Sequence, residues 1–108
     1  MAKKRSTALV LSPHAGKCDA ATAACFSVQK NDTAVWEVTC YCPDAQAVQL
    51  VFRGSKPLEG NLSSQRPKGP GTRWLDIVAT VVGNPGKHKY DVNVDGKMVL
   101  DPDLEIDP

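Results

Sequence analysis

The sequence predicts an all-β sandwich, and three observations support that prediction. Apolar and polar residues alternate in several short segments, as they do in strands that bury one face. Residues that favour turns separate these segments, and none of the segments has the period of a long helix. Short strands joined by turns are typical of immunoglobulin-like sandwiches.

Two strands are predicted in the middle of the chain. From Trp36 to Cys42 every second residue is apolar, and Pro43-Asp44 ends this segment as a turn. The same alternation runs from Val48 to Arg53. Both segments are therefore expected to turn one side toward a core.

A long loop and a third strand follow. Residues 54–73 hold four glycines and three prolines, and a stretch of this length without a pattern is expected to be a functional or a mobile loop. Trp74 to Val82 is rich in β-branched residues, which indicates a strand.

A hairpin closes the pattern. His88 to Val94 alternates, Asp95-Gly96 is a strong signal for a tight turn, and Lys97 to Leu100 returns as a short strand that Asp101-Pro102 ends. The alternation predicts a core that includes Trp36, Val38, Cys40, Val48, Leu50, Tyr90, Val92 and Val94.

The chain divides into an N-terminal arm, residues 1–30, and a sandwich domain, residues 31–108. The arm has two apolar runs, Ala8 to Leu11 and Cys25 to Val28, and we expect at least one of them to pair with a sheet. Between them, Ala20 to Ala24 is interpreted as a helical turn.

Composition and charge argue against two classes of partner, nucleic acids and membranes. The net charge of +1 argues against a nucleic-acid ligand. The basic residues of the long loop have no aromatic residues interleaved with them, which also argues against nucleic acid. No apolar run is long enough to span a membrane. No signal peptide is recognisable, so a cytoplasmic location is expected, with a plastid or another organelle as the alternative. The basic loop residues are Lys56, Arg66, Lys68 and Arg73.

Four cysteines are present, and their spacing is not that of a zinc site. Cys40 and Cys42 are predicted to be free thiols, since two residues on one strand face are too far apart to bond to each other. Pairing of either with Cys18 or Cys25 stays open. No metal and no cofactor is expected.

The segment from Gly86 to Pro102 resembles the closing hairpin of carbohydrate-binding module family 48, which includes the glycogen-binding domain of AMP-activated kinase β subunits. The matching residues are Gly86, Tyr90, Val94, Asp95, Gly96, Asp101 and Pro102. The resemblance extends in outline from Val35 to Pro102. It implies an immunoglobulin-like sandwich of the early-set type that binds glycogen or starch.

This sequence departs from that family where the sugar is bound. The family stacks sugars on exposed tryptophans. One of them belongs to a Gly-Asp-Phe-Asn-x-Trp motif that is missing after Phe52, and the other is replaced by Met98. Asp91 stands in place of a lysine. By position alone, the resemblance implies Asp91, Lys97 and Met98 as carbohydrate contacts.

The family also continues past its Asp-Pro turn into a further strand, and this chain is expected to end too early to form it. A sandwich without that strand would have an open edge.

The sequence offers no catalytic pattern. His14 and His88 have no nucleophile or carboxylate at motif spacing, and no glycine-rich phosphate loop follows a strand. The expected function is a non-catalytic α-glucan-binding module. The alternative is a protein-interaction or scaffold domain of the same fold, which would use sheet edges or the long loop.

Overall fold

The computed structural model describes residues 2–108, and it forms strands and no helix over that range. Accordingly, none of the described residues belongs to a helix that could cross a membrane. The strands are β1 (Lys4–His14), β2 (Lys17–Ala20), β3 (Phe26–Gln29), β4 (Thr33–Cys40), β5 (Ala47–Phe52), β6 (Leu58–Glu59), β7 (Ser63–Gln65), β8 (Ile77–Val81), β9 (Gly86–Val94), β10 (Lys97–Leu100) and β11 (Asp103–Asp107).

These strands form two sheets. The first has the order β2-β1-β4-β8-β6, and the second has the order β3-β11-β9-β5-β7, with β10 paired to β9. The pairs β1–β4 and β3–β11 are parallel, and the other pairs are antiparallel. The predicted class, an all-β immunoglobulin-like sandwich, is confirmed.

The predicted core is confirmed residue by residue, because all eight side chains named from the alternation are at most 5% exposed. Val48 pairs with Val94 and Leu50 with Val92, so β5 and β9 turn the same face inward. Across the core, the Trp36 indole donates a hydrogen bond to the Tyr90 hydroxyl at 3.0 Å. Both tryptophans, Trp36 and Trp74, are buried.

Both apolar runs of the N-terminal arm pair with the sheets. β1 lies between β2 and β4 with Leu9 and Leu11 fully buried, and β3 lies beside β11. The predicted helical turn at residues 20–24 is wrong. The Ala21 N–H donates to the Val10 carbonyl, which holds the chain in a bend against β1.

The C-terminal segment also differs from expectation. The chain does form a strand after Asp101-Pro102, because β11 lies between β3 and β9. Its apolar residues, Leu104 and Ile106, are buried in the core, and the residues that alternate with them, Asp103, Glu105 and Asp107, are acidic. This period-two pattern is short. Because its polar residues are all acidic, the segment is easily interpreted as a solvated tail instead of a strand.

The middle of the chain is more ordered than predicted. The expected loop at residues 54–73 contains β6 and β7. Trp74 lies outside a regular strand, because β8 begins at Ile77, yet the Trp74 N–H donates to the Val38 carbonyl at 3.0 Å. The Arg66 guanidinium lies 5.3 Å from the centre of the Trp74 ring, so part of this segment covers the core.

Candidate functional site

The candidate binding surface is the outward side of β5, β9 and β10. Since strand side chains alternate between two faces, the residues between the core positions of β5 and β9 point away from the first sheet. Val51 lies opposite Asp91, and Asn93 lies opposite both Gln49 and Met98. We call this surface the β5–β9–β10 face, and its residues are Gln49, Val51, Arg53, Asp91, Asn93 and Met98.

Arg53 connects two of the predicted site residues. Its Nη2 atom donates to Asp91 Oδ1 at 2.5 Å and lies 4.0 Å from Met98 Sδ. Both side chains of the ion pair are partly exposed, Arg53 at 50% and Asp91 at 23%, so the pair remains accessible to a ligand. Met98 is 56% exposed and Val51 is 39% exposed, which gives the face an apolar component.

Asn93 has an unused hydrogen-bond acceptor. Its Oδ1 atom is buried and has no hydrogen-bond partner among the described residues. A buried polar atom without a partner costs free energy unless water or a ligand satisfies it. Asn93 lies between Gln49 of β5 and Met98 of β10, so this unpaired acceptor lies beneath the β5–β9–β10 face.

A cleft adjoins this face where β5 meets the segment that precedes β7. It has a volume of about 370 Å³, and Gln49 and Val51 belong to both the cleft and the face. Lys56, Asn61 and Ser63 provide polar groups on its other side. The face and the cleft together combine apolar surface with hydrogen-bonding groups, as sites for small polar ligands do.

The three residues predicted by position have different outcomes. Asp91 and Met98 meet at Arg53, whereas Lys97 is exposed at the start of β10 and takes part in none of these contacts. Arg53 was missed as a site residue. The only signal for it was its place in the alternation of β5, and the register that sets it beside Asp91 is not visible in the sequence.

Among residues 2–108, no aromatic side chain lies on the β5–β9–β10 face. The Phe52 ring points inward and stacks on Tyr90, with 4.9 Å between the ring centres. The exposed aromatic side chain is Tyr41, at 55%, which follows β4 in the other sheet. A sugar on the β5–β9–β10 face would therefore contact aliphatic and sulfur-containing groups instead of a ring.

The basic loop is partly engaged within the protein. Arg66 donates to the carbonyls of Ala45 and Cys42, and Arg73 pairs with Asp76 at 2.8 Å and with Glu37 at 3.6 Å. Lys56 lines the cleft, and Lys68 is exposed.

The cysteines correct one prediction. Cys42 is not a free thiol, because it forms a disulfide with Cys18, with 5.7 Å between the Cα atoms. Cys40 is free, as predicted, and so is Cys25. The β1–β2 hairpin carries Cys18 back to the end of β4, which is how two cysteines 24 positions apart can bond.

Comparisons with known proteins bear on the fold alone. No family model matches this sequence, and no curated protein matches it. Its structure is similar to part of a crystal structure of a multi-copper oxidase from Pseudomonas thermotolerans, with a TM-score of 0.60 and 14% sequence identity. The match covers 99% of this chain and 30% of that one. At so low an identity the likeness is that of one β-sandwich to another.

Proposed function

We propose that this chain is a non-catalytic binding module for an α-glucan, and that the β5–β9–β10 face with its adjoining cleft is the contact surface. The observation that carries the proposal is the convergence of Asp91, Met98 and Arg53 on one partly apolar face. Asp91 and Met98 occupy positions at which carbohydrate-binding module family 48, the family that the sequence resembles, contacts sugar.

The chemistry of this face suits a polyhydroxylated ligand. Hydroxyl groups both donate and accept, so an ion pair such as Arg53–Asp91 can bond two neighbouring hydroxyls. The apolar faces of the sugar rings would rest on Val51 and Met98. Without a stacking aromatic ring, we expect weak binding that depends on several sugar units in contact at once.

Affinity electrophoresis tests the proposal. Native gels that contain glycogen or amylopectin should slow the wild-type chain relative to a gel without polysaccharide. Two exposed valines provide a matched pair of variants: Val51, 39% exposed on the β5–β9–β10 face, and Val78, 50% exposed on β8 of the other sheet. V51D should abolish the retardation and V78D should preserve it. Unchanged mobility of the wild type at every polysaccharide concentration would reject α-glucan binding.

The expected intracellular location belongs to the same proposal. Cytosolic thiols are kept reduced. The test is to alkylate free thiols at the moment of cell lysis and then look for the Cys18–Cys42 disulfide. Its presence would argue for another compartment.

A protein-interaction role is the second candidate, and exposed apolar side chains in and beside the first sheet favour it. Leu75 is 77% exposed, Tyr41 is 55% exposed and Val78 is 50% exposed. Exposed apolar side chains can contribute to a contact surface where a partner covers them. A photo-crosslinking residue placed at position 78 should then capture a discrete partner in cells, and the same residue at position 51 should not. Equal labelling at both positions would contradict a specific interface on the first sheet.

A further inference from the structure

Three cysteine sulfurs meet at one end of the first sheet. The Sγ atoms of Cys18, Cys40 and Cys42 all lie within 4.8 Å of one another. Two of them form the disulfide, and the third, Cys40, is a buried thiol beside it. The Cys40 thiol faces the Cys42 carbonyl, with 3.8 Å between sulfur and oxygen.

The fold explains why these sulfurs are neighbours. Within the first sheet, Cys40 lies beside Leu11 of β1, and Cys18 of β2 lies beside Pro13 of the same strand. Cys42 comes two residues after Cys40, where the chain leaves β4. Strand register and the β1–β2 hairpin therefore bring Cys18 to the end of the sheet at which Cys40 lies, and Cys42 follows Cys40 by two residues.

We propose that reduction of the Cys18–Cys42 disulfide creates a trigonal three-thiolate site for one thiophilic monovalent cation, for which Cu(I) is the probe. Thiolates are soft ligands that select Cu(I). Sulfur bound to a metal ion at about 2.3 Å would lie about 4 Å from the other sulfurs of a planar three-coordinate site. The observed 4.8 Å limit accommodates that spacing with a rotation of the released side chains.

The ligand set also argues against a tetrahedral ion. A structural zinc site uses four protein ligands. In residues 2–108 no histidine, aspartate, glutamate or other cysteine joins the three sulfurs. Three soft ligands without a fourth among residues 2–108 suit a cation that accepts trigonal coordination.

Arg66 compensates part of the charge. Its guanidinium donates to the Cys42 carbonyl, so a positive group lies next to the peptide that carries one ligand. A Cu(I) ion bound by three thiolates has a net charge of about −2, and a buried anion needs such a partner.

The site forms in two steps, reduction of the disulfide and then binding of the cation. A dithiol reductant attacks the disulfide, leaves two cysteine thiols and becomes a disulfide itself. Cys18 is half-buried and Cys42 is buried, so the attack is expected at the Cys18 sulfur. The three thiols then release three protons to solvent as their sulfurs bind the cation, so the affinity rises with pH.

Competition for Cu(I) under anaerobic conditions tests the site. The full chain is reduced with a dithiol, freed of reductant and titrated with Cu(I) against a chromogenic chelator. We expect one Cu(I) per chain, and X-ray absorption should show three sulfur neighbours. The oxidised chain should lose this binding. Two sulfur neighbours, or equal affinity in the oxidised chain, would overturn the proposal.

Cys25 provides the matched control, since it is a free, exposed cysteine outside the cluster. C25S should bind Cu(I) as the wild type does. C40S should lose at least about 100-fold in affinity, because loss of a direct ligand should exceed the roughly 10–100-fold loss seen for outer groups. If C40S does not fold by circular dichroism, C18S, at a half-buried position, makes the same measurement. Loss of binding in C25S, or its retention in a folded C40S or C18S, would contradict the site.

Discussion

Tyr90 shows how one side chain can join both sheets and a loop. Its hydroxyl accepts a hydrogen bond from the Trp36 indole at 3.0 Å and donates one to the Ala24 carbonyl at 2.5 Å. Burial raises the pKa of the Tyr90 phenol, so the group remains a donor even in alkaline solution. The alternation predicted a buried Tyr90, but it did not predict these two partners, which lie 54 and 66 positions away.

We expect Tyr90→Phe to destabilise the fold strongly. The substitution leaves a buried N–H and a buried C=O without partners, at about 1–3 kcal/mol each. Urea unfolding followed by tryptophan fluorescence measures the change. Tyr41→Phe is the control, because Tyr41 is 55% exposed and its change should stay within about 0.5 kcal/mol. Equal stabilities of the two variants would show that the hydroxyl contacts do not matter.

Asp32 fastens the N-terminal arm to the turn before β4. Its carboxylate accepts backbone hydrogen bonds from Lys3 at 3.0 Å and from Gln29 at 2.8 Å, and Arg5 lies 3.8 Å away. The bonds from Lys3 and then Gln29 hold the pKa of Asp32 below its usual value. A carboxylate with a lowered pKa stabilises the fold above its unfolded pKa, about 3.9, and that stabilisation is lost as the pH falls through the lower folded value.

The expected outcome for Asp32→Asn is therefore pH-dependent. At pH 7 the variant should unfold at a lower urea concentration than the wild type, because an amide cannot accept both backbone bonds in the same way. The gap should shrink as the pH falls below about 4, because the unfolded wild-type chain then takes up a proton on Asp32 before the folded chain does. Asp44→Asn, at an exposed position, serves as the control. A gap of constant size from pH 7 to pH 2 would contradict this role for the charge.

At the scale of elements, the β9–β10 turn is the feature that the sequence predicted most closely. Asp95 has a φ of 50° and Gly96 a φ of 84°, both in the left-handed region that a tight two-residue hairpin turn needs. The Asp95 carboxylate also accepts from the backbone N–H groups of Gln46 and Ala47, at 3.0 and 2.9 Å. The turn is thereby bonded to the start of β5.

Gly96→Val should destabilise the chain by about 1–3 kcal/mol, the cost of a strained backbone conformation. A Cβ atom at this position meets no atom within 4 Å, so the penalty comes from the backbone and not from a clash. Gly96→Asn should cost less, since asparagine tolerates positive φ. Thermal unfolding of the two variants checks the order, and a more stable valine variant would contradict the turn geometry.

Prediction from the sequence worked where a signal is local and failed where it depends on register. The alternation of β4, β5 and β9 identified their buried faces because each residue's face depends only on its neighbours. The contact of Arg53 with Asp91 needs the pairing of β5 with β9, which brings together residues 38 positions apart. β6 and β7 were missed for the same reason, since they are short and their pairing partners lie elsewhere in the chain.

At the scale of the whole molecule, both chain ends are internal parts of the sheets. β1 lies beside β4 and β3 lies beside β11, each in parallel, so neither of these two pairings could form through a simple hairpin. β11 in turn closes the second sheet between β3 and β9. The fold thus depends on the pairing of the first thirty residues with β4 and β11, and such non-local pairing is expected to make folding slow.

Removal of residues 1–30 should consequently unfold or aggregate the chain. The truncation would delete β1, β2 and β3, expose β4 and β11 as open edges and uncover the core beneath Leu9 and Leu11. A milder form of the same test is Leu9→Ala, which should cost about 2–5 kcal/mol because the side chain is fully buried. Lys4→Ala, exposed in the same strand, should cost little. Calorimetry of the shortened chain decides the matter, and a melting temperature equal to that of the full chain would show that the arm is dispensable.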